Sequence, residues 1–380
     1  MHKCRQHLFA LSQVSSRSFD LRPLTRLTVA AVALGSLACA ERVNRPIKSL
    51  PVAVLGNSDS HSYQDSLLLR GPTSRGGTYR SVTYQWTEIW MRLRGNEVDL
   101  GAWGIWGSRW KIARVVQGLG VAARAPRKQD YEYNFAVSGA RCGHLLDEGY
   151  PQVPSLLRVT NRDRERWAQG IVIIRIGINS FGLTNQLDEY GTRGLDASAR
   201  ERVMNCVSAI ERTVQLIRSR YPMVHIVLVP ISDDTNLASN LDRWRDPAAL
   251  ARIDAVLSLF EDQLRAMAER DPRMAFLDER GWFRQQWGSR SSDGAPAYRS
   301  ISLGGPVPVT NSMGDHPRHL TLSDGHAGTV SNGLWLMNLV ELLNARWALG
   351  LTPITGDEIA RLADPEGRLG LRSTPKGSSQ

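Results

Sequence analysis

Residues 171–179, Ile-Val-Ile-Ile-Arg-Ile-Gly-Ile-Asn, give the strongest signal for a buried strand in this chain. A short apolar run that ends in a glycine turn is typical of a strand covered on both faces. Such strands belong to parallel sheets, and open α/β proteins bind their ligands at the carboxyl edge of the sheet. The run therefore predicts a parallel sheet with Gly177 and Asn179 at that edge.

Other segments repeat this pattern and alternate with amphipathic helices. Further strands are predicted over residues 52–55, 133–142, 224–231 and 274–277, and helices over residues 81–94, 197–220, 246–267 and 334–347. Strands that alternate with helices are typical of βαβ units around a central parallel sheet. No internal repeat or linker divides the 380 residues, so we expect one α/β domain from about residue 50 to about residue 362.

The first 40 residues are predicted to direct export. A leader with five basic residues precedes the apolar residues 27–37, a stretch too short to span a bilayer as a helix, and Ala38-Cys39-Ala40 offers a cleavage site. Residues 36–39 also resemble a lipoprotein box, so a lipid anchor on Cys39 is the alternative, and a cytosolic protein with an apolar N-terminus is a third. We expect a secreted or periplasmic protein, with membrane attachment only if Cys39 is lipidated. Residues 363–380 are predicted to be a polar tail.

The composition is typical of a globular protein, and the net charge is moderately positive. The chain has 47 Lys and Arg against 37 Asp and Glu, and 42% of its residues are hydrophobic. The excess of positive charge is compatible with an anionic glycan or envelope surface, or simply with a solvated basic face. No segment resembles a nucleic-acid-binding module. Cys142 and Cys206 fit either one disulfide or two separate buried thiols.

Polar residues with catalytic chemistry follow the predicted strands. Ser58 comes after the first strand, in Gly-Asn-Ser-Asp-Ser-His, and Gly139 and Asn179 come after two later ones. Asp324 and His326 lie in a loop before the last long helix. A serine hydroxyl needs an imidazole to accept its proton, a carboxylate to orient that imidazole, and donors for the developing oxyanion. These segments therefore contain the inventory for serine acyl transfer.

At these positions the chain resembles the SGNH (GDSL-type) hydrolase superfamily. Residues 56–60, 134–140, 177–179 and 324–326 are similar, in this order, to the four motif blocks of that superfamily. The resemblance covers residues 51–347 and implies a three-layer α/β/α flavodoxin-like sandwich over residues 41–362. It also implies Ser58 as nucleophile, His326 as general base and Asp324 as its orienting acid. The backbone N–H groups of Ser58 and Gly139 and the amide of Asn179 would form the oxyanion hole, with no metal or organic cofactor.

Two positions depart from the family pattern. Asn57 stands where the family usually has an aspartate, and we expect this change to be tolerated. The spacing from Asp324 to His326 is one residue shorter than the family's D-x-x-H. Either Asp324 still reaches His326 through a local bulge, or Ser323 or Asp315 takes its place, or the base works without a strong carboxylate partner. His61, His316 and His319 are expected to be structural histidines.

The resulting functional hypothesis is a serine esterase that cleaves carboxylic esters. The predicted export signal and five tryptophans within residues 86–110 favour a short acyl group, such as acetyl on a carbohydrate, as the substrate. The tryptophan rings could stack on a sugar, line an acyl groove or pack in the core. The substrate would be a small-molecule or polysaccharide ester. A lipase or thioesterase for longer chains, an O-acyltransferase and a non-catalytic glycan-binding protein of the same fold are the alternatives.

Overall fold

The computed structural model describes residues 49–121, 123–232 and 234–373, so the predicted signal segment 1–40 lies outside the described residues. In chain order the strands there are β1 (Leu50–Gly56), β2 (Val98–Asp99), β3 (Trp103–Trp106), β4 (Lys128–Tyr131), β5 (Ile171–Arg175), β6 (His225–Val229), β7 (Met274–Phe276), β8 (Gly288–Arg290), β9 (Pro296–Tyr298), β10 (Thr310–Met313) and β11 (His319–Thr321). The α-helices are α1 (Trp86–Arg94), α2 (Trp110–Gly118), α3 (Gln152–Thr160), α4 (Arg164–Trp167), α5 (Thr184–Arg193), α6 (Ala197–Arg220), α7 (Pro247–Glu269), α8 (Glu279–Trp287), α9 (Thr329–Trp347) and α10 (Gly356–Ala363).

The central sheet is parallel throughout and has the order β2-β1-β5-β6-β7. Numbered along the chain, this is the flavodoxin-like order 2-1-3-4-5. The strand order reverses between β1 and β5, which makes the carboxyl ends of these two strands the expected ligand-binding crevice.

Alternating side chains of each central strand enter two separate apolar clusters. In β1, Val52 and Val54 pack in the cluster that contains α1 and α9, whereas Ala53 and Leu55 pack in the cluster that contains α6 and α7. A parallel strand with both faces covered has to be apolar at consecutive positions, which explains the continuous runs in β1, β5 and β6. The predicted three-layer α/β/α fold with a central parallel sheet is confirmed.

The helix boundaries follow local sequence signals. Helix α6 spans the predicted residues 197–220, and the side chain of Asp196 caps it by accepting a hydrogen bond from the N–H of Ala199. Asp246 caps α7 in the same way, and Pro247 occupies the first turn, where its missing N–H costs nothing. Capping and periodicity are local properties, so a sequence reveals them directly.

Some segments differ from their predicted form. Residues 133–142 make a single bridge from Asn134 to Val54 instead of a strand. Strand β5 ends at Arg175, and the expected turn with Asn179 at its tip is a π-helical segment, Ile178–Gly182. Residues 285–309, which are rich in Gly, Ser and Pro, contain the end of α8 and the β8–β9 hairpin.

The packed part of the chain extends beyond residue 363, where the polar tail was expected to begin. Leu371 is fully buried, and the N–H groups of Leu369 and Leu371 donate to the carboxylate of Asp364, over 3.1 and 3.2 Å. None of the helices in the described ranges has the length and apolarity needed to cross a bilayer.

Cys142 and Cys206 form a disulfide, with their Cα atoms 5.2 Å apart. The sequence left open whether these residues are bridged or free. The bond ties the turn after Gly139 to the middle of α6, across 64 residues of chain.

Candidate functional site

Ser58 lies at the carboxyl end of β1, beside the point where the strand order reverses. The strand ends at Gly56, where a Cβ atom would lie 2.4 Å from the carbonyl oxygen of Arg175 on the neighbouring strand β5. Only glycine fits this approach. The chain then turns, because the carbonyl of Asn57 accepts the N–H groups of Ser60 and His61, each over 3.2 Å.

The side chain of Asn57 stabilises this turn. It is buried, and its Oδ1 atom accepts the N–H of Asp59 over 2.9 Å. A carboxylate oxygen would accept the same bond, so the geometry is consistent with the predicted tolerance of Asn at this position.

Side chains from distant elements hold the carbonyl groups that follow. The carbonyl of Ser58 accepts from the amide of Gln85 over 3.3 Å, and that of Asp59 accepts from the indole of Trp86 over 3.0 Å and from Arg175 over 2.9 Å. These bonds fix the backbone around Ser58.

Glu88 closes the same loop from the first turn of α1. Its buried carboxylate accepts the N–H groups of Tyr63, Gln64 and Gln85, at 2.8–3.0 Å. Burial raises the pKa of Glu88 to about 7, against the effect of these hydrogen bonds, which lower it.

A cavity of about 310 Å³ opens at this edge of the sheet. Ser58, Asn179, Asp324 and His326 all line it, although they lie in three widely separated parts of the sequence. Gly139 is exposed and does not belong to the cavity wall. The structure therefore brings four of the five predicted site residues to one cavity.

Asp324 contacts His326 through a turn that the short spacing requires. The Oδ2 atom of Asp324 lies 3.0 Å from Nδ1 of His326, and its Oδ1 atom accepts the backbone N–H of His326 over 3.1 Å. The Nδ1–Oδ2 contact has the distance of an ion pair but not the direction of a good hydrogen bond, since Nδ1 has no well-aligned acceptor. Gly325, between them, has φ +86°, a value that L side chains rarely adopt, and this lets the carboxylate fold back onto the imidazole.

The electrostatics of Asp324 favour its ionised form. Burial alone would raise its pKa, but hydrogen bonding with His326 and the charges of His326 and Arg75 outweigh burial and bring the pKa well below its usual range. Ser323 and Asp315, which the sequence left open as alternative partners of His326, bond to each other instead. The carboxylate of Asp315 accepts the backbone N–H of Ser323 over 3.1 Å.

Arg75 is a site residue that the sequence did not single out. Its guanidinium is almost fully buried and lies over the ring of Tyr63, with Cζ 4.6 Å from the ring centroid. Its Nε atom donates to Asp324 over 3.0 Å and its Nη2 atom donates to Nε2 of His326 over 2.9 Å. Arg75 belongs to a loop rich in Gly, Arg and Thr, and no local pattern distinguishes it from the other arginines there.

The contact of Arg75 fixes the tautomer of His326. A guanidinium only donates hydrogen bonds, so Nε2 accepts and the proton of a neutral imidazole sits on Nδ1, facing Asp324. This is the tautomer that a general base needs. The Nε2 lone pair is, however, engaged by Arg75 and not by the hydroxyl of Ser58.

The predicted oxyanion donors are linked to each other. The Nδ2 atom of Asn179 donates to the carbonyl of Ala140 over 3.0 Å, which ties the π-helical turn after β5 to the turn that contains Gly139. The Asn179 amide carries a second N–H group on the same nitrogen, and its residue lines the cavity.

His61 joins the Ser58 loop to the Gly139 turn, in agreement with its expected structural role. It is fully buried, its Nε2 atom lies 2.9 Å from the carboxylate of Asp65, and its Nδ1 atom lies 2.9 Å from the hydroxyl of Ser138. Burial lowers the pKa of His61, as does the charge of Lys128, while the bond with Asp65 raises it; the net shift is downward. A neutral His61 thus donates to Asp65 and accepts from Ser138.

The two other histidines of the last loop do not line the cavity. His319 bonds through Nδ1 to the hydroxyl of Ser312 over 2.6 Å, and His316 packs edge-on against Tyr79 with its Nδ1 accepting the N–H of Arg318.

The tryptophan cluster of residues 86–110 divides into two groups. Trp86 and Trp90 are fully buried between the sheet and α9, whereas Trp103 and Trp110 are exposed. None of the five lines the cavity, whose tryptophans are instead Trp282 and Trp335. Core packing therefore accounts for the first pair only.

No arrangement of three or more His, Cys, Asp or Glu side chains suited to a metal ion occurs within residues 49–121, 123–232 and 234–373.

Comparison with known proteins gives alignments to solved structures only. No protein-family model and no curated protein matches the sequence. An extracellular lipase from Streptomyces rimosus aligns at 18% identity and TM-score 0.35, over 77% of this chain and 100% of its own. The lipase Lip_vut3 from a goat rumen metagenome aligns at 13% and 0.34, over 63% of this chain and 86% of its own. BT4096, a gut microbial diltiazem-metabolizing enzyme, aligns at 13% and 0.32, over 79% of this chain and 48% of its own. Overlaps of this quality do not establish a shared activity.

Proposed function

We propose that this protein is a serine hydrolase of the SGNH type that cleaves carboxylic esters through an acyl-enzyme. Ser58 is the nucleophile, His326 the general base and Asp324 the carboxylate that orients it. The N–H group of Ser58 and the side-chain amide of Asn179 bind the oxyanion, whereas Gly139, the third donor expected from the sequence, lies outside the cavity wall.

One observation carries the proposal. A buried serine at a strand end, an amide side chain and a carboxylate–imidazole pair from distant parts of the sequence line the same cavity of about 310 Å³. That cavity lies at the reversal point of a flavodoxin-like sheet, where this architecture binds its ligands. A structural role for all four groups would not require them to face one cavity.

The chemistry then follows in two steps. The oxygen of Ser58 attacks the ester carbonyl while its proton passes to Nε2 of His326, which becomes an imidazolium facing Asp324. The imidazolium returns the proton to the departing alcohol, and water, activated by the same imidazole, releases the acid from the acyl-enzyme. Before the first step, Arg75 has to withdraw its hydrogen bond from Nε2, because that lone pair is the acceptor.

Two features support a small ester as substrate. The cavity is at the lower end of the volumes that hold small ligands. Its wall combines aromatic groups, such as Trp282, Phe283 and Trp335, with polar groups, such as Ser232 and Asn240. An acetyl group on a carbohydrate fits this mixture better than a long acyl chain does.

The buried disulfide supports export, since disulfides persist in oxidising compartments.

A panel of p-nitrophenyl esters of increasing chain length, together with acetylated xylan and chitin, tests this proposal. We expect the highest rate with acetate, and only background hydrolysis with Ser58→Ala. Ser219→Ala is the matched control, because that serine is exposed on α6 and lies outside the cavity lining, so its loss should leave the rate nearly unchanged. Equal rates for wild type and Ser58→Ala, or background rates across the whole panel, would exclude the proposed activity on these substrates.

A further inference from the structure

The segment from β3 to the end of the loop after α2 exposes an unusual amount of apolar surface. Of the twelve large apolar side chains that are exposed in the described part of the chain, seven lie between residues 103 and 121. Leu119 is 77% exposed, Val115 67% and Trp110 56%. Single exposed apolar residues are normal, but a concentration of this kind marks an interaction surface.

Helix α2 presents these side chains as a stripe directed away from the protein. Ala113 is its only buried residue, whereas Ile112, Val115 and Leu119, spaced three and four apart, share one exposed side. A surface helix normally packs its apolar side on the core. Here the apolar side faces outward.

Positive charge surrounds this stripe and negative charge is missing from it. The sequence has no acidic residue between Asp99 and Asp130. Arg109, Lys111, Arg114 and Arg127 are exposed, and none of the four has an ion-pair partner within the residues that the structure describes. In α2, Lys111 directly precedes Ile112 and Arg114 directly precedes Val115 in the sequence. An apolar stripe with basic flanks and a tryptophan is the composition of a helix that lies in a membrane interface.

The charge pattern disfavours a second copy of the chain as the occupant. In a two-fold symmetric dimer the same patch meets itself, so the four unpaired cations of one protomer would face those of the other. An anionic lipid surface instead complements these cations and takes up the apolar side chains between them.

We propose that residues 103–121 dock the protein on a bilayer rich in anionic phospholipid, with α2 lying in the plane of the interface. Ile112, Val115 and Leu119 enter the acyl boundary, Trp110 lies at the headgroup level, and the basic side chains pair with headgroup phosphates. This surface is separate from the lining of the Ser58 cavity and does not depend on the proposed esterase activity. It also goes beyond the sequence prediction, which allowed membrane contact only through a lipid on Cys39.

Co-sedimentation of the full chain with vesicles tests the proposal. We expect binding to vesicles of 30% phosphatidylglycerol in phosphatidylcholine and at least tenfold weaker binding to pure phosphatidylcholine. Because each basic residue near an anionic surface is worth about fivefold in partitioning, Lys111→Gln with Arg114→Gln should weaken binding at least tenfold. Val115→Glu with Leu119→Glu should abolish the contribution of α2 to vesicle binding.

Two control variants carry the same changes elsewhere. Met223→Glu adds a charge at a side chain that is 48% exposed, and Arg200→Gln with Arg220→Gln removes two exposed cations from α6. Both should bind like wild type. Residues 1–40 are identical in all variants, so any binding through them contributes equally.

Hydrogen–deuterium exchange gives a second readout that is independent of residues 1–40. Amides of residues 109–121 should exchange more slowly on anionic vesicles than in buffer. Unchanged exchange there, or equal binding by wild type and Val115→Glu/Leu119→Glu, would overturn the proposal. So would sedimentation showing a dimer that the same glutamates dissociate, with no vesicle binding by either form.

Discussion

Replacing Asp324 by asparagine tests the least regular part of the site, its short acid–base spacing. The asparagine keeps the shape of the side chain and its acceptor for the N–H of His326, but it removes the negative charge. Asp324 stabilises the positive charge that His326 gains when it accepts the proton of Ser58 in the transition state, so the loss should fall on kcat and leave KM nearly unchanged.

The geometry sets the magnitude of this effect. A carboxylate oxygen 3.0 Å from Nδ1 stabilises a full positive charge by about 1.4 kcal/mol in bulk water and by about 5.5 kcal/mol at an effective dielectric constant of about 20. The Asp324 side chain is 40% exposed, so solvent screening places the value between these limits, at about 2 to 3 kcal/mol. We therefore expect kcat to fall roughly 30- to 150-fold.

Steady-state hydrolysis of p-nitrophenyl acetate measures this loss, and Asp315→Asn provides the matched control. Asp315 lies in the same loop, but its carboxylate accepts the N–H of Ser323. Its replacement should change kcat less than about threefold. If Asp324→Asn kept more than a third of the wild-type kcat, or if Asp315→Asn lost as much, Asp324 would not be the partner of His326.

The same variant has a predicted effect on stability in acid. The pKa of Asp324 is lowered in the fold, so its charge stabilises the native protein at pH values above 3.8, its ordinary pKa, and this contribution is lost as the pH falls through the lower pKa of the folded state. Melting temperatures measured between pH 3 and pH 6 should therefore decline less steeply towards acid in Asp324→Asn. An unchanged slope would contradict the depressed pKa.

Three further changes test other parts of the structure. Arg75→Ala should speed labelling of Ser58 by a fluorophosphonate about 10- to 100-fold, because the base no longer has to give up a charge-assisted hydrogen bond of about 1.5–3 kcal/mol. Slower labelling of the folded variant would refute this. His61→Ala removes the donor to Oδ2 of the buried Asp65 carboxylate, whose Oδ1 keeps the N–H groups of Leu67, Leu68 and Gln129, and should destabilise the protein by about 1.5–3 kcal/mol. Urea unfolding measures this, and a loss below about 1 kcal/mol would contradict its structural role. Cys206→Ser should lower the free energy of unfolding by about 4 kcal/mol, the chain-entropy value for a closed loop of 64 residues. Dithiothreitol should destabilise wild type and leave the variant unaffected. Equal stability of wild type with and without dithiothreitol would argue against the disulfide.

The sequence predicted those features that depend on local pattern. Strand β5 is visible because both of its faces are covered, which forces an apolar residue at every position from Ile171 to Ile174. Helix α6 is visible because of its 3.6-residue periodicity. Glycine-ended strands then placed Ser58 and Asn179 at one edge of the sheet, which is how a one-dimensional pattern indicates a shared cavity.

Features that depend on contacts between distant residues were not predictable in the same way. Arg75 bonds to Asp324 across 249 residues of sequence, and an arginine in a polar loop carries no mark of such a partner. Helix α2 has ordinary periodicity, and only its position in the fold shows that the apolar side is exposed. Burial is a property of the folded molecule, so the same tryptophan-rich stretch was compatible with a core, a sugar site or an acyl groove.

Covalent labelling of Ser58 tests the proposed chemistry most directly. Incubation of the folded protein with a fluorophosphonate, followed by peptide mass spectrometry, should give a single adduct, on Ser58, and His326→Ala should lose it. No adduct on the folded protein, an adduct on a different serine, or undiminished labelling of Ser58 in His326→Ala would show that the hydroxyl and the imidazole do not act together.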